Sequence, residues 1–198
     1  LILNQTIVFF LGEMKRGINF FTSMLITTST TILKIHQNYN KILWRYILTK
    51  VEDNRKIIET YYSSIAKGDF DTIISLMHED VIFNIVGESP YSGLWEGRDN
   101  IYTILVPAVV SNLKAESTKF AENWTIMCVD ENRATGLMSA TAETHKGENL
   151  NMTYCHIMTF NQNKIIEMHE FFDTAQGERL FDNEKLKGHS GKSGPMNY

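Results

Sequence analysis

Residues 51–177 predict an α+β domain in which helices come first and a curved antiparallel sheet follows. Three observations carry this expectation. Apolar residues recur at helical spacing up to about residue 112, four long segments of strand character follow, and turn residues separate them. The chain has 198 residues, 43% of them hydrophobic and 21% charged. That is enough apolar material for one core and excludes a chain disordered throughout. Repeated long apolar runs are absent, which excludes a polytopic membrane protein, and there are no internal repeats.

The elements follow in order. From Asp53, the residues Ile57, Ile58, Tyr61, Tyr62 and Ile65 recur at the spacing of one helix face, and Gly68 ends the run. A second short helix follows Asp69, with Phe70, Ile73, Ile74 and Met77 on one side. Residues 81–86 read as a strand. Gly87-Glu88-Ser89-Pro90 and Gly93 mark a loop, and Gly97 introduces a third helix that runs to about Asn112. Strands are expected at 118–129, 133–145, 149–160 and 164–173. Their turns contain Asp130-Glu131-Asn132, Lys146-Gly147 and Asn161-Gln162-Asn163.

The strand 149–160 separates by parity. Leu150, Met152, Tyr154, His156, Met158 and Phe160 occupy even positions; Asn151, Thr153, Cys155, Ile157 and Thr159 occupy odd ones. Side chains alternate across a strand, so the even set faces the interior and places His156 among apolar neighbours. In the next strand Ile166, Met168, Glu170 and Phe172 share the more apolar side. A three-residue loop at 161–163 would pair 156 with 168 and 154 with 170, which buries both apolar stripes and sets Glu170 diagonal to His156. A two-residue loop would set His156 opposite His169 and mismatch the faces, so the first register is expected.

A histidine, a carboxylate and a phenol facing an apolar interior form an acid–base constellation, and His156, Glu170 and Tyr61 are the candidate catalytic residues. The same His–Glu pair, capped by a tyrosine, would also serve simply to satisfy polar groups inside a sheet. Tyr154, Met158, Met168, Phe172, Trp95 and Trp124 are the candidate substrate-binding residues. No metal site is expected, because His169 and Glu170 point to opposite faces, and Cys155 faces away from His156. No cofactor is expected either: Gly-rich nucleotide fingerprints and serine nucleophile elbows are absent.

Residues 57–80, with Tyr61, Gly68-Asp69-Phe70 and Met77-His78-Glu79-Asp80, resemble the opening of SnoaL-like and ketosteroid-isomerase-like proteins of the nuclear transport factor 2-like superfamily. The segment from Gly87 through Gly93 to Gly97-Arg98 is similar to that family's glycine-bracketed stretch before its third helix. The ending from His156 to Phe160, then Asn163 to Glu167 and Glu170 to Asp173, resembles its last hairpin. The resemblance covers about residues 53–175. It implies a cone of three helices closed by a curved sheet, a pocket inside, and a homodimer across the sheet. The fold hosts isomerases, hydrolases, cyclases and non-catalytic binders, so it does not name a reaction.

Carrying the family's residues over narrows the choice. Tyr61 matches the tyrosine of a ketosteroid isomerase, but its oxyanion aspartic acid falls on His156 and its base on Ile85. Without the base, that literal activity is excluded. A limonene-epoxide-hydrolase-like relay needs an arginine, and none stands between Ala134 and Glu167, although Glu170 falls on its last-strand aspartate. A SnoaL-type polyketide cyclase needs an acid–base residue in an apolar pocket, which Glu170 or His156 would supply. The expected function is therefore a small-molecule pocket protein: a cofactor-independent isomerase, cyclase or hydrolase acting on a hydrophobic metabolite. The alternative is a non-catalytic ligand-binding or dimerisation module.

The rest of the chain differs in character. Residues 1–50 carry six Lys/Arg against Glu13 alone, a net of +5, whereas residues 51–198 carry a net of −9. Lys15-Arg16 and the apolar stretch 18–33 imitate a signal peptide, but the stretch is short for a bilayer span and no small-residue cleavage site follows. The domain pattern begins at Val51, as it would if an upstream frame had been translated through a GTG start. Residues 1–50 are thus expected to be an extension, with a loose helix over 32–48. Residues 178–198 are expected to be a flexible tail; its Gly191-Lys192-Ser193 lacks the earlier glycine of a phosphate loop, since residue 186 is Leu186. Two cysteines, Cys128 and Cys155, make no disulfide scaffold and point to a reducing, cytoplasmic setting. The sequons at Asn123 and Asn151 fall in expected strands and bear on the chain only if it is secreted. The expected partners are a small hydrophobic molecule and a second copy, with no nucleic acid at a net of −9; a membrane is disfavoured, secretion or anchoring by residues 14–33 being the lesser alternative.

Overall fold

The computed structural model describes residues 29–181. The signal-like run lies outside them up to residue 28, as does the Gly/Ser-rich tail after residue 181. Contacts divide the chain into two units, Leu1–Tyr46 and Ile47–Tyr198. The described part of the first is the N-terminal stretch of helix α1, Ser29–Lys67. The loose helix and the domain's first helix, expected as separate pieces, are one continuous element.

In the second unit α1 presents Ile57, Ile58, Tyr61 and Tyr62 to the core, all at most 7% exposed. Gly68 adopts a φ of 68°, the left-handed conformation that stops a helix at low steric cost. Asp69 then caps α2, Phe70–Leu76: its carboxylate accepts from the Thr72 amide at 3.1 Å and the Thr72 hydroxyl at 2.7 Å. Strand β1, Met77–Ile85, follows directly. The expected loop before the third helix contains a short strand, β2, Gly93–Glu96, bracketed by Gly93 and Gly97 at positive φ. Helix α3 comprises Arg98–Asn100, a π turn over Ile101–Leu105, and Val106–Val110. The wide turn ends just before Pro107, whose ring nitrogen has no proton to donate to the helical ladder.

Strands β3 (Lys119–Val129), β4 (Arg133–Glu143), β5 (Asn149–Asn161) and β6 (Lys164–Phe171) complete a six-stranded sheet in the order β2-β1-β6-β5-β4-β3. Four neighbouring pairs are antiparallel, and β1 with β6 is parallel. The sheet is therefore mixed, because the last strand returns to the middle and lies beside the first. Three helices were expected; a fourth, α4 (Thr174–Leu180), enters the stretch assigned to the flexible tail. Asp173 caps it, Gln176 bonds the Asn151 backbone at both its amide and its carbonyl, and Leu180 and Phe181 are buried. The Phe181 ring rests on Tyr91 at 4.9 Å.

The parity of β5 holds throughout: Leu150, Met152, Tyr154, His156, Met158 and Phe160 are all buried. The β5–β6 hairpin is built differently from the expected three-residue loop. Gln162 and Asn163 both adopt positive φ, 49° and 60°, the twist of a two-residue type I′ turn. A bulge then restores the faces. Phe160 pairs with Ile165 and Thr159 with Glu167, so Ile166 is the extra residue and Ile165 takes its inward place. Beyond the bulge Met158 faces Met168 and His156 faces Glu170 directly.

Candidate functional site

Two rows of side chains cross the inner face of the sheet. Trp95 faces Phe83, Phe83 faces Met168, and Met168 faces Met158. One pleat along, Ile85 faces Glu170, Glu170 faces His156, and His156 faces Gly136. Helix α1 lies over the second row. The absence of a side chain at Gly136 is what admits it: a Cβ there would stand 2.6 Å from the Tyr62 hydroxyl oxygen.

The Tyr62 hydroxyl lies 3.0 Å from His156 Nδ1, and His156 Nε2 lies 2.8 Å from Glu170 Oε2. His156 is fully buried, while the Glu170 side chain keeps 13% of its surface. One assignment uses each donor once: Tyr62 O–H donates to Nδ1, and Nε2–H donates to the carboxylate. The second Glu170 oxygen, Oε1, has no hydrogen-bond partner among the described residues.

Aromatic rings enclose this relay. Tyr154 stacks on His156 at 6.3 Å and on Phe172 at 5.4 Å, and Trp124 stacks on Tyr62 at 5.6 Å. Burial pushes the Tyr61, Tyr62 and Tyr154 phenols well above their ordinary range, and the Glu170 charge adds to the effect at all three. All three are therefore neutral hydrogen-bond donors at ordinary pH. No hydrogen bond holds the Tyr154 hydroxyl among the described residues.

His156 and Glu170 thus meet, more closely than the diagonal expected. Tyr61 does not reach them: its hydroxyl donates to Met168 Sδ at 3.6 Å, and its ring stands edge-on to His156 at 6.0 Å. The adjacent Tyr62 makes the contact. Sequence placed both tyrosines on the core face, and only the docking angle of α1 chooses between them. Among the candidate binding residues, Tyr154, Met158 and Met168 are buried on the inner face, and Phe172 packs on Tyr154. Trp124 reaches the same cluster through Tyr62 but remains 38% exposed. Trp95 is buried on edge strand β2, where its indole N–H donates to the Tyr91 carbonyl at 3.0 Å. Ile85, at the position of a ketosteroid isomerase base, abuts Glu170 in the sheet. Gly136 was missed; an isolated glycine within a strand pattern is the signal for such a close approach. Among the described residues no group of three or more His, Cys, Asp or Glu is arranged to hold a metal ion.

A family model described as a SnoaL-like domain matches residues 58–168. No curated protein matches the chain. Among solved structures, a nuclear transport factor 2-like protein of Burkholderia xenovorans LB400 is 17% identical, with 67% of this chain and 98% of that one covered and a TM-score of 0.56. TerC, crystallised with polyporic acid, is 21% identical over 65% of this chain and 97% of its own, with a TM-score of 0.54. A protein of Xanthomonas campestris pv. campestris, described as a candidate polyketide cyclase, is 13% identical over 66% and 98%, with a TM-score of 0.54. At such identities these structures speak to the fold, and the family model speaks to membership. The chain belongs to the SnoaL-like family, on the nuclear transport factor 2-like fold.

Proposed function

We propose that the inner face of the sheet binds a small hydrophobic metabolite and that Glu170 acts on it by general acid–base catalysis, without a cofactor. The observation that carries this reading is the free Glu170 oxygen, partly accessible, on a carboxylate whose other oxygen is held by His156. In this reading Oε1 takes a proton from the ligand. His156 Nε2–H steadies the carboxylate, and Tyr62 keeps the imidazole in that tautomer. The neutral phenols of Tyr61 and Tyr154 donate to oxygen on which charge develops. Met158, Met168, Phe172, Trp95 and Trp124 supply the apolar lining. The class is an isomerisation, cyclisation or hydrolysis, in keeping with a neighbour described as a candidate polyketide cyclase. The protein works as a homodimer in the cytoplasm, a setting that suits its free cysteines.

A second reading, non-catalytic ligand binding or dimerisation on the same fold, draws on His156. It is fully buried and has partners at both nitrogens, as a purely structural histidine would. A thermal-shift screen of hydrophobic metabolites, followed by turnover assays with Glu170→Gln and His156→Ala, separates the two. Catalysis requires that Glu170→Gln retain ligand binding and lose turnover. Unchanged turnover of an identified substrate in both variants would overturn it.

A further inference from the structure

The inner face of the sheet is charged at one place. By register and burial its side chains are apolar or aromatic apart from His156 and Glu170. The six strands contain three cations, all at strand ends. Lys119 lies opposite Thr141 and Arg133 opposite Thr159, both on the outward parity, and the Lys164 ammonium donates to the Ser75 carbonyl. Helix α1 adds only the uncharged Ile57, Ile58, Tyr61 and Tyr62. Arg98, at the start of α3, is felt at the Tyr102 phenol, whereas the carboxylate felt at Tyr61, Tyr62 and Tyr154 is that of Glu170. With the Tyr62 O–H donating to Nδ1, the imidazole is neutral. The site then holds one negative charge, with no opposite charge among the described residues that line it.

We infer that the ligand of this site is a hydrophobic molecule carrying a protonated amine, whose N–H donates to Glu170 Oε1. This rests on the reading of the inner face as a ligand pocket and names the charge of what enters it. Three kinds of ligand compete on electrostatic grounds. A neutral one that covers Glu170 strips water from an unpaired carboxylate, which is costly. An anion adds repulsion at short range to the same cost. A protonated amine brings both the missing donor and the missing charge to the one oxygen that lacks a partner among the described residues. The aromatic lining favours the same choice, because π faces attract cations while the ring bodies cover the hydrophobic part. Glu170 keeps 13% of its side-chain surface, so the oxygen is within reach of a ligand.

The test is calorimetric titration of the full chain at neutral pH with probes matched in shape and different in charge. One set is benzylamine, benzyl alcohol and benzoate; the other is 2-naphthylmethylamine, 2-naphthylmethanol and 2-naphthoate. Within a set the amine should bind about tenfold or more tighter than the alcohol, and the carboxylate weakest. Glu170→Gln, with its fold checked by circular dichroism, should bring amine and alcohol to similar affinity while the alcohol still binds. An alcohol or carboxylate that binds as tightly as its amine overturns the inference and leaves the pocket standing; the carboxylate would then already be balanced by an imidazolium at His156. A preference for the amine that survives Glu170→Gln also overturns it. Binding of none of the six probes removes the pocket and the inference together. The ranking in the parent protein needs no variant and is sufficient to refute the inference.

Discussion

Replacing Gly136 by alanine tests the packing that holds the relay together. The new Cβ would lie 2.6 Å from the Tyr62 hydroxyl oxygen, 2.7 Å from Cε2 and 3.0 Å from Cζ. A ring tip is often free to swing away, but this one is not. It is fully buried, stacks on Trp124 at 5.6 Å, meets Tyr61 at 5.6 Å, and bonds His156 at 3.0 Å. Overpacking a core costs about 1–3 kcal/mol. Displacing the hydroxyl leaves a buried imidazole nitrogen unpaired, about 1–3 kcal/mol more. Replacing glycine in a strand returns about 0.5–1 kcal/mol. The net expectation is a loss of about 3 kcal/mol, or about 6–12 °C in Tm for a chain of this size. Urea and thermal denaturation measure it, and the decisive arm is a double-mutant cycle with Tyr62→Ala. With the ring gone, Gly136→Ala should become neutral or stabilising, a coupling of about 3–4 kcal/mol. Stability of Gly136→Ala equal to the parent, or the same loss in both backgrounds, would refute the argument.

Three further outcomes follow from the same geometry. Tyr62→Phe keeps the ring but removes the donor to His156 and should cost about 1–3 kcal/mol. Tyr61→Phe gives up only a contact to a thioether, a weak acceptor, and should cost less; equal losses by denaturant titration would contradict the assignment of Tyr62 to the relay. The phenols of Tyr61, Tyr62, Tyr102 and Tyr154 are raised by burial, so the folded state holds their protons after the unfolded chain has released them. Stability should therefore be intact below about pH 10 and fall above it, by about 1.4 kcal/mol per pH unit for each phenol, and Tyr154→Phe should flatten the slope. Asp69 is lowered by its bonds to the Thr72 hydroxyl and amide, so its cap stabilises at neutral pH and is lost as acid protonates it. The stability difference between the parent and Asp69→Ala should be present at neutral pH and shrink as pH falls through the carboxyl range; a difference independent of pH would exclude the capping charge.

Sequence by itself determined which residues of the strand 149–160 face inward. Alternation there put His156 among Tyr154 and Met158, because the side-chain period of a strand without an extra residue is a local property. It also exposed the switch from a helical to a strand period, the stop at Gly68, and the family resemblance that the domain match bears out. Tertiary structure decided the rest. The short β2 reads as loop because its four residues carry too little periodicity, and it exists as a strand by pairing with β1. A two-residue turn and a bulge at Ile166 together bring His156 opposite Glu170, since twist selects the turn and burial of both faces requires the extra residue. The parallel β1–β6 pairing joins strands from opposite ends of the domain and puts Ile85 beside Glu170. Tyr62 rather than Tyr61 completes the relay because Gly136 leaves room for one ring and the docking of α1 delivers that one. Periodicity is written in neighbours along the chain, whereas register and ring choice are set where distant segments compete for the same space.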